Sequence, residues 1–109
     1  MSGFENVRIY LKKAQTIPNR QLPLFMALLI AAGDMASTGH YADDPDCGQL
    51  VTVDVLHRKT LLDACGWQTA NPLYKGLQVL CECGAIEKIG ANVYRINREY
   101  AVIMESREE

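Results

Sequence analysis

The stretch CGAIEKIGANVYRIN, Cys83 to Asn97, decides the fold, because it joins a helix stop to two short alternating runs around a glycine turn. Glycine adopts the left-handed backbone of a helix C-terminus at least cost, so Cys83-Gly84 ends whatever helix precedes it. AIEKI and VYRIN then alternate apolar with polar residues on either side of Gly90-Ala91-Asn92, which is the composition of a β-hairpin.

Working back from the hairpin, Leu73, Leu77 and Leu80 recur at helical spacing, with Thr69 or Asn71 as caps and Pro72 suited to the first turn. Before that, Leu56 to Cys65 reads as a helix with Leu61, Leu62 and Cys65 inward and Gly66 at its end. The link between the two helices, CGWQT from Cys65 to Thr69, gives a helix-turn-helix candidate in which Trp67 fills the angle. QLVTV, Gln49 to Val53, alternates and is β-branched, so it supplies a third strand to pair with the hairpin. TGHYADDPDCG, Thr38 to Gly48, has glycines, a proline and aspartates without periodicity and is a surface loop.

Leu22 to Ser37 reads as a helix that is apolar nearly all the way round, with Pro23 near its start. Its run LPLFMALLIAA imitates the hydrophobic region of a signal peptide, but it is too short to span a bilayer and is taken as a buried wall of the fold. At the N-terminus, Phe4, Val7, Leu11 and Ala14 sit at helical spacing opposite Arg8, Lys12 and Lys13, which predicts an amphipathic helix. The order is helix, helix, strand, helix, tight turn, helix, hairpin. It predicts an α+β fold, a winged helix-turn-helix with a small antiparallel sheet and one hairpin wing. Residues 1–18 are read as an N-terminal amphipathic helix and dimerisation element, 19–103 as the winged domain and 104–109 as an acidic tail.

With 109 residues, close to half of them apolar, the chain suits one core and not two. The net charge of −2 gives no global nucleic-acid signal, yet the charges are segregated. Basic residues outnumber acidic ones four to one over residues 1–20 and six to three over 55–98, while 21–54 carries five acids and no base. The helix-turn-helix and hairpin therefore fall in a basic block.

The second helix of the motif has a face that the leucines do not use. Asn71, Tyr74, Lys75, Gln78 and Glu82 follow i, i+3, i+4, i+7 and i+11, beside the leucine stripe. Asn, Gln and Lys can meet base edges or phosphates, and Tyr can reach a phosphate or stack on a sugar, although a merely solvated face has the same composition. The expected DNA-binding set is Arg58, Lys59, Thr69, Asn71, Tyr74, Lys75 and Gln78, joined by Lys88, Asn92 and Arg95 from the wing. Phe4, Val7, Leu11, Leu24 and Leu28 are assigned to a homodimer interface, since a second half-site raises affinity and specificity.

Cys47, Cys65, Cys81 and Cys83 read as reduced thiols in a cytoplasmic protein. Zinc is disfavoured, because Cys81 and Cys83 point to nearly opposite sides of a helix. His40 and His57 have no partner set by spacing and read as surface residues. No glycine-rich phosphate loop, paired metal-binding histidines or nucleophile elbow occurs, so no enzyme activity and no cofactor are expected.

Leu22 to Tyr100 resembles the winged-helix domains of plasmid and phage replication proteins and of small bacterial repressors. The resemblance rests on LFMALLIAAGD, GQLVTV, TLLDACGWQTANPLYKGLQVLCECGAIEKIG and VYRINREYAV. It implies binding to double-stranded DNA. Arg98 and Glu99 stand where the replication proteins often carry proline, and the length leaves no room for a catalytic or helicase-loading domain. A stand-alone repressor, or a replication or partition accessory factor with a protein partner in that complex, is the implied role. A winged helix that binds protein instead of DNA is the alternative, favoured by the acidic loop and the negative net charge.

Overall fold

The computed structural model describes residues 2–107 as an α+β fold. Strand β1 spans Ser2–Ile9 and is followed by a single helical turn, α1, Leu11–Ala14. Helix α2 covers Leu22–Ser37, β2 Leu50–Thr52, α3 Val55–Cys65 and α4 Asn71–Cys83. Strands β3, Ile86–Lys88, and β4, Val93–Ile96, form the hairpin, and β5 runs from Ala101 to Arg107. Two antiparallel sheets result, a three-stranded one in the order β2-β4-β3 and a two-stranded ribbon of β1 and β5.

From α2 to β4 the elements follow the expected order. Gly66 and Gly84 close α3 and α4 with φ of 72° and 90°, the left-handed conformation that a Cβ would strain. Leu73, Leu77 and Leu80 are buried together with Gly76. Pro72 falls in the first turn of α4, but the N-cap is Ala70 and makes no side-chain bond, so neither Thr69 nor Asn71 caps the helix.

In place of the N-terminal helix expected over 1–18 there is a strand, Ser2–Ile9, and the single turn of α1. Val7 and Ile9 are β-branched and suit a strand, and Val102 and Ile103 of β5 provide the pairing edge, with Val7 opposite Ile103 and Ile9 opposite Ala101. An irregularity between Gly3 and Asn6 breaks the two-residue alternation, and the resulting spacing of Phe4 and Val7 imitates a helix. The acidic tail expected from 104 is likewise strand as far as Arg107, and Glu108 and Glu109 lie outside the described residues.

Helix α2 is the centre of the core, touching β1 and β5, α3 and α4, and β2. This accounts for most of its apolar surface without a second chain, while Met26 and Ile30 stay exposed. Leu24 and Leu28 are fully buried within the chain's own core, so they cannot form a dimer interface. Of the other residues assigned to that interface, Phe4 packs against the core, while Val7 and Leu11 are exposed. Gly33 lets the ribbon lie close to α2, since a Cβ there would come within 2.6 Å of the Phe4 carbonyl oxygen. Among the described residues no helix is long and apolar enough to cross a membrane.

One polar side chain lies inside this core. Gln49, fully buried, donates from Nε2 to the carbonyls of Ile96 (2.9 Å) and Ala101 (3.0 Å) and accepts on Oε1 from the Ile103 N–H (2.8 Å). Its backbone carbonyl also accepts from Ile96 N–H at 2.7 Å. The amide thus acts as a short piece of strand, pairing with β5 on one side while the backbone pairs toward β4 on the other. Replacing it by leucine keeps the volume but strips partners from buried peptide groups, each costing about 1–3 kcal/mol. Gln49→Leu is expected to destabilise the fold by roughly 3–5 kcal/mol in urea unfolding, and a loss under about 1 kcal/mol would show that these bonds contribute little.

Candidate nucleic-acid interface

Helix α4 presents two distinct faces. The leucine face is buried, and Asn71, Tyr74, Lys75, Gln78 and Glu82 are all exposed. The spacing of 3.6 residues per turn separates the two sets, and Gly76 lets α4 press on α2: a Cβ there would fall 2.5 Å from Leu24 Cδ2 and from Gln21 Oε1. Gln78 Nε2 donates to Glu82 Oε1 at 3.2 Å, a pair at i, i+4 along the exposed face.

Helix α3 contributes to the same side. Arg58 Nη1 donates to the Tyr74 hydroxyl at 2.5 Å, which brings a guanidinium from α3 to the exposed face of α4. Lys59 is exposed one residue further on, Thr69 is exposed in the turn, and Lys88 and Asn92 are exposed in the hairpin. Among the described residues, Lys59, Lys75 and Lys88 make no ion pair.

Arg95 does not join them. Its guanidinium is held by Asp46 at 3.2 Å and by Glu87, its cross-strand neighbour, at 2.9 Å. Those two carboxylates raise its pKa further, Asp46 foremost. Arg95 therefore makes ion pairs within the fold, whereas Lys59, Lys75 and Lys88 make none among the described residues. Arg98 also reaches Asp46, at 3.4 Å, so the acidic loop is tied both to β4 and to the segment after it.

Trp67 is half-buried and packs on the core beside the turn between α3 and α4. It also lines a cleft with Arg20, Gln21, Thr69, Asn71 and Lys75, of which Arg20 and Gln21 carry no local sequence signal of such a role. The four cysteines are half-buried and free, and burial raises the thiol pKa of Cys47, Cys65 and Cys81. Among the described residues no three His, Cys, Asp or Glu side chains gather as metal ligands do.

The histidines are not solitary surface residues. Asp54 caps α3 by accepting from the His57 N–H at 2.9 Å, and the same oxygen lies 2.7 Å from His57 Nδ1. His40 stacks edge-on against His57 with ring centroids 6.3 Å apart. The i, i+3 spacing of Asp54 and His57 at a helix start was the sequence signal for this cap.

Compared with protein-family models, curated proteins and solved structures, the chain matches none.

The Asp54 cap carries a pH dependence. The His57 backbone N–H, and then the His57 ring, hold the Asp54 carboxyl below its usual range. A depressed folded pKa gives a contribution that is complete above the unfolded value, near 3.9, and fades as the pH falls through the folded value. Asp54→Ala is expected to lower the unfolding midpoint at neutral pH, with the gap to wild type narrowing in acid. An equal gap at about pH 7 and about pH 2.5 would contradict the assigned cause.

Proposed function

We propose that this chain is a winged helix-turn-helix protein that binds duplex DNA, with α4 in the major groove and the hairpin β3–β4 as a wing against the backbone or minor groove. The observation that carries the reading is the exposed stripe of α4, where Asn71, Tyr74, Lys75 and Gln78 serve no purpose in the core although the opposite face of the same helix is fully buried. A helix of 13 residues with such a face, directly after a tight glycine turn and before a hairpin, suits groove entry. Lys59, Lys88, Asn92 and the Arg58–Tyr74 pair supply backbone contacts.

The biological role fitting this reading is a small transcriptional repressor, or an accessory factor of plasmid or phage replication or partition. Two copies would place their α4 helices in successive major grooves, roughly 34–36 Å apart. With Leu24 and Leu28 buried, the surface for a second copy moves to the groove between β1 and α2, where Val7, Met26 and Ile30 remain exposed.

A second reading, a winged helix that binds another protein, is favoured by Val55 and Leu56, which are 73% and 80% exposed in the first turn of α3. The two readings differ in their response to salt. Phosphate neutralisation makes log affinity for duplex DNA fall linearly with log salt, whereas an apolar protein contact is far less sensitive. Lys75→Ala and Gln78→Ala are each expected to weaken duplex binding by on the order of 1–3 kcal/mol without altering the unfolding midpoint, read by anisotropy of a labelled duplex. Wild-type affinity in both variants would move the DNA face away from α4.

A further inference from the structure

The cleft beside Trp67 has a volume of about 560 Å³ and lies where the turn before α4 meets the segment leading into α2. Its polar lining consists of Arg20 and Gln21 from that segment, Thr69 from the turn, and Asn71 and Lys75 from α4. No carboxylate lines it, in a chain whose acids outnumber its bases. Two cations, two amides and a hydroxyl converge there from parts of the sequence far apart, and every one of these groups can donate a hydrogen bond. Such a lining is complementary to an anion.

Gln21 supplies an observation independent of charge. Its Oε1 is buried without any hydrogen-bond donor, the one such side-chain atom among the described residues. Buried polar atoms are normally satisfied, so this oxygen is held in place by packing and leaves the rest of the half-buried amide without an internal partner. Oε1 faces Gly76 of α4, where an added Cβ would lie 2.5 Å from it, so with that oxygen buried Nε2 is the polar atom of the amide left to donate into the cleft.

We propose that this cleft seats a backbone phosphate of duplex DNA flanking the bases faced by α4, with Arg20 and Lys75 as counter-charges and Gln21, Thr69 and Asn71 as hydrogen-bond donors. The inference rests on the DNA-binding reading and deepens it. Asn71 and Lys75 belong both to the exposed stripe of α4 and to the cleft, so one continuous surface runs from the groove-facing residues to Arg20. A phosphate contact at Arg20 sets the register of the helix in the groove and carries no sequence information of its own. The volume is ample for a phosphate together with its flanking sugar, and Trp67 offers the sugar an apolar wall.

The protein contains a single tryptophan, so its fluorescence reports on this cleft directly. Wild type, Arg20→Ala, Arg20→Lys and Gln21→Met are titrated with a random-sequence duplex over a range of salt concentrations. Parallel titrations use inorganic phosphate and a nucleoside monophosphate at the same phosphate concentration. The duplex is expected to shift or quench Trp67 emission, and the free anions are expected to do so only at far higher concentration. Arg20→Ala should make the plot of log affinity against log salt shallower by about one, which near 0.1 M salt corresponds to about tenfold weaker binding. Arg20→Lys should keep the wild-type slope, and Gln21→Met should bind more weakly while unfolding at no lower urea concentration.

A wild-type slope in Arg20→Ala with Trp67 unmoved by duplex would overturn the proposal, while leaving the α4 reading intact if Lys75→Ala and Gln78→Ala still weaken binding. A Trp67 response to the mononucleotide but not to the duplex would overturn it in favour of a free-nucleotide site. Failure of the wild type to bind duplex at low salt would remove both the cleft assignment and the reading beneath it.

Discussion

The side chain of Gln49 holds the two sheets of this protein together. Its amide bonds Ile96 at the end of β4 and both Ala101 and Ile103 in β5, and so spans the segment 97–100 between those strands. That segment grips the C-terminal end of α4: Asn97 Nδ2 donates to the Gly84 carbonyl at 2.9 Å, and the Tyr100 hydroxyl donates to the Cys83 carbonyl at 2.7 Å. The orphan carbonyls of a helix end are thereby satisfied by side chains that one buried amide keeps in place. Strand β5 in turn carries β1 over α2, with Gly33 allowing the close approach. The direction of α4, and of the polar face it exposes, depends on this chain of contacts.

Much of the fold was legible because its signals are local. Helix α2 has the expected bounds, and the stops at Gly66 and Gly84 and the hairpin around Gly90 follow from backbone geometry that few residues other than glycine tolerate. Strand β1 was not legible. Its partner β5 lies almost at the other end of the chain, and the irregularity near Gly3 erased its alternation. Gln49 lies two residues from Val51 and four from Val53, so alternation puts it on the buried face, while the three partners that satisfy its amide come from β4 and β5 and have no local signal.

The candidate site divides in the same way. The exposed stripe of α4 follows from a period of 3.6 and is present as expected. The ion pair of Arg95 with Asp46 was not legible because Asp46 comes from a loop with no periodicity to place it. Leu24 and Leu28 were assigned to a second copy because the sequence does not show which faces of α2 its neighbours cover; Leu24 lies against Gly76 of α4. Arg20 and Gln21 reach the cleft only through tertiary packing of the segment before α2 against α4. Arg95 and Arg98 both pair with Asp46 of the acidic loop within the fold. Lysines at positions 59, 75 and 88 stay exposed on the motif and the hairpin.

The central claim is that α4 and its flanks form a nucleic-acid surface. Amide NMR spectra of the isotope-labelled protein, recorded while a duplex of roughly 20 base pairs is added at low salt, test it most directly, since such a duplex covers about two successive major-groove sites. The account predicts shifts concentrated at residues 20–21, 69–78 and 88–92, reversed by added salt. Shifts centred on Val55, Leu56 or the groove between β1 and α2, or no shifts at all, would contradict it.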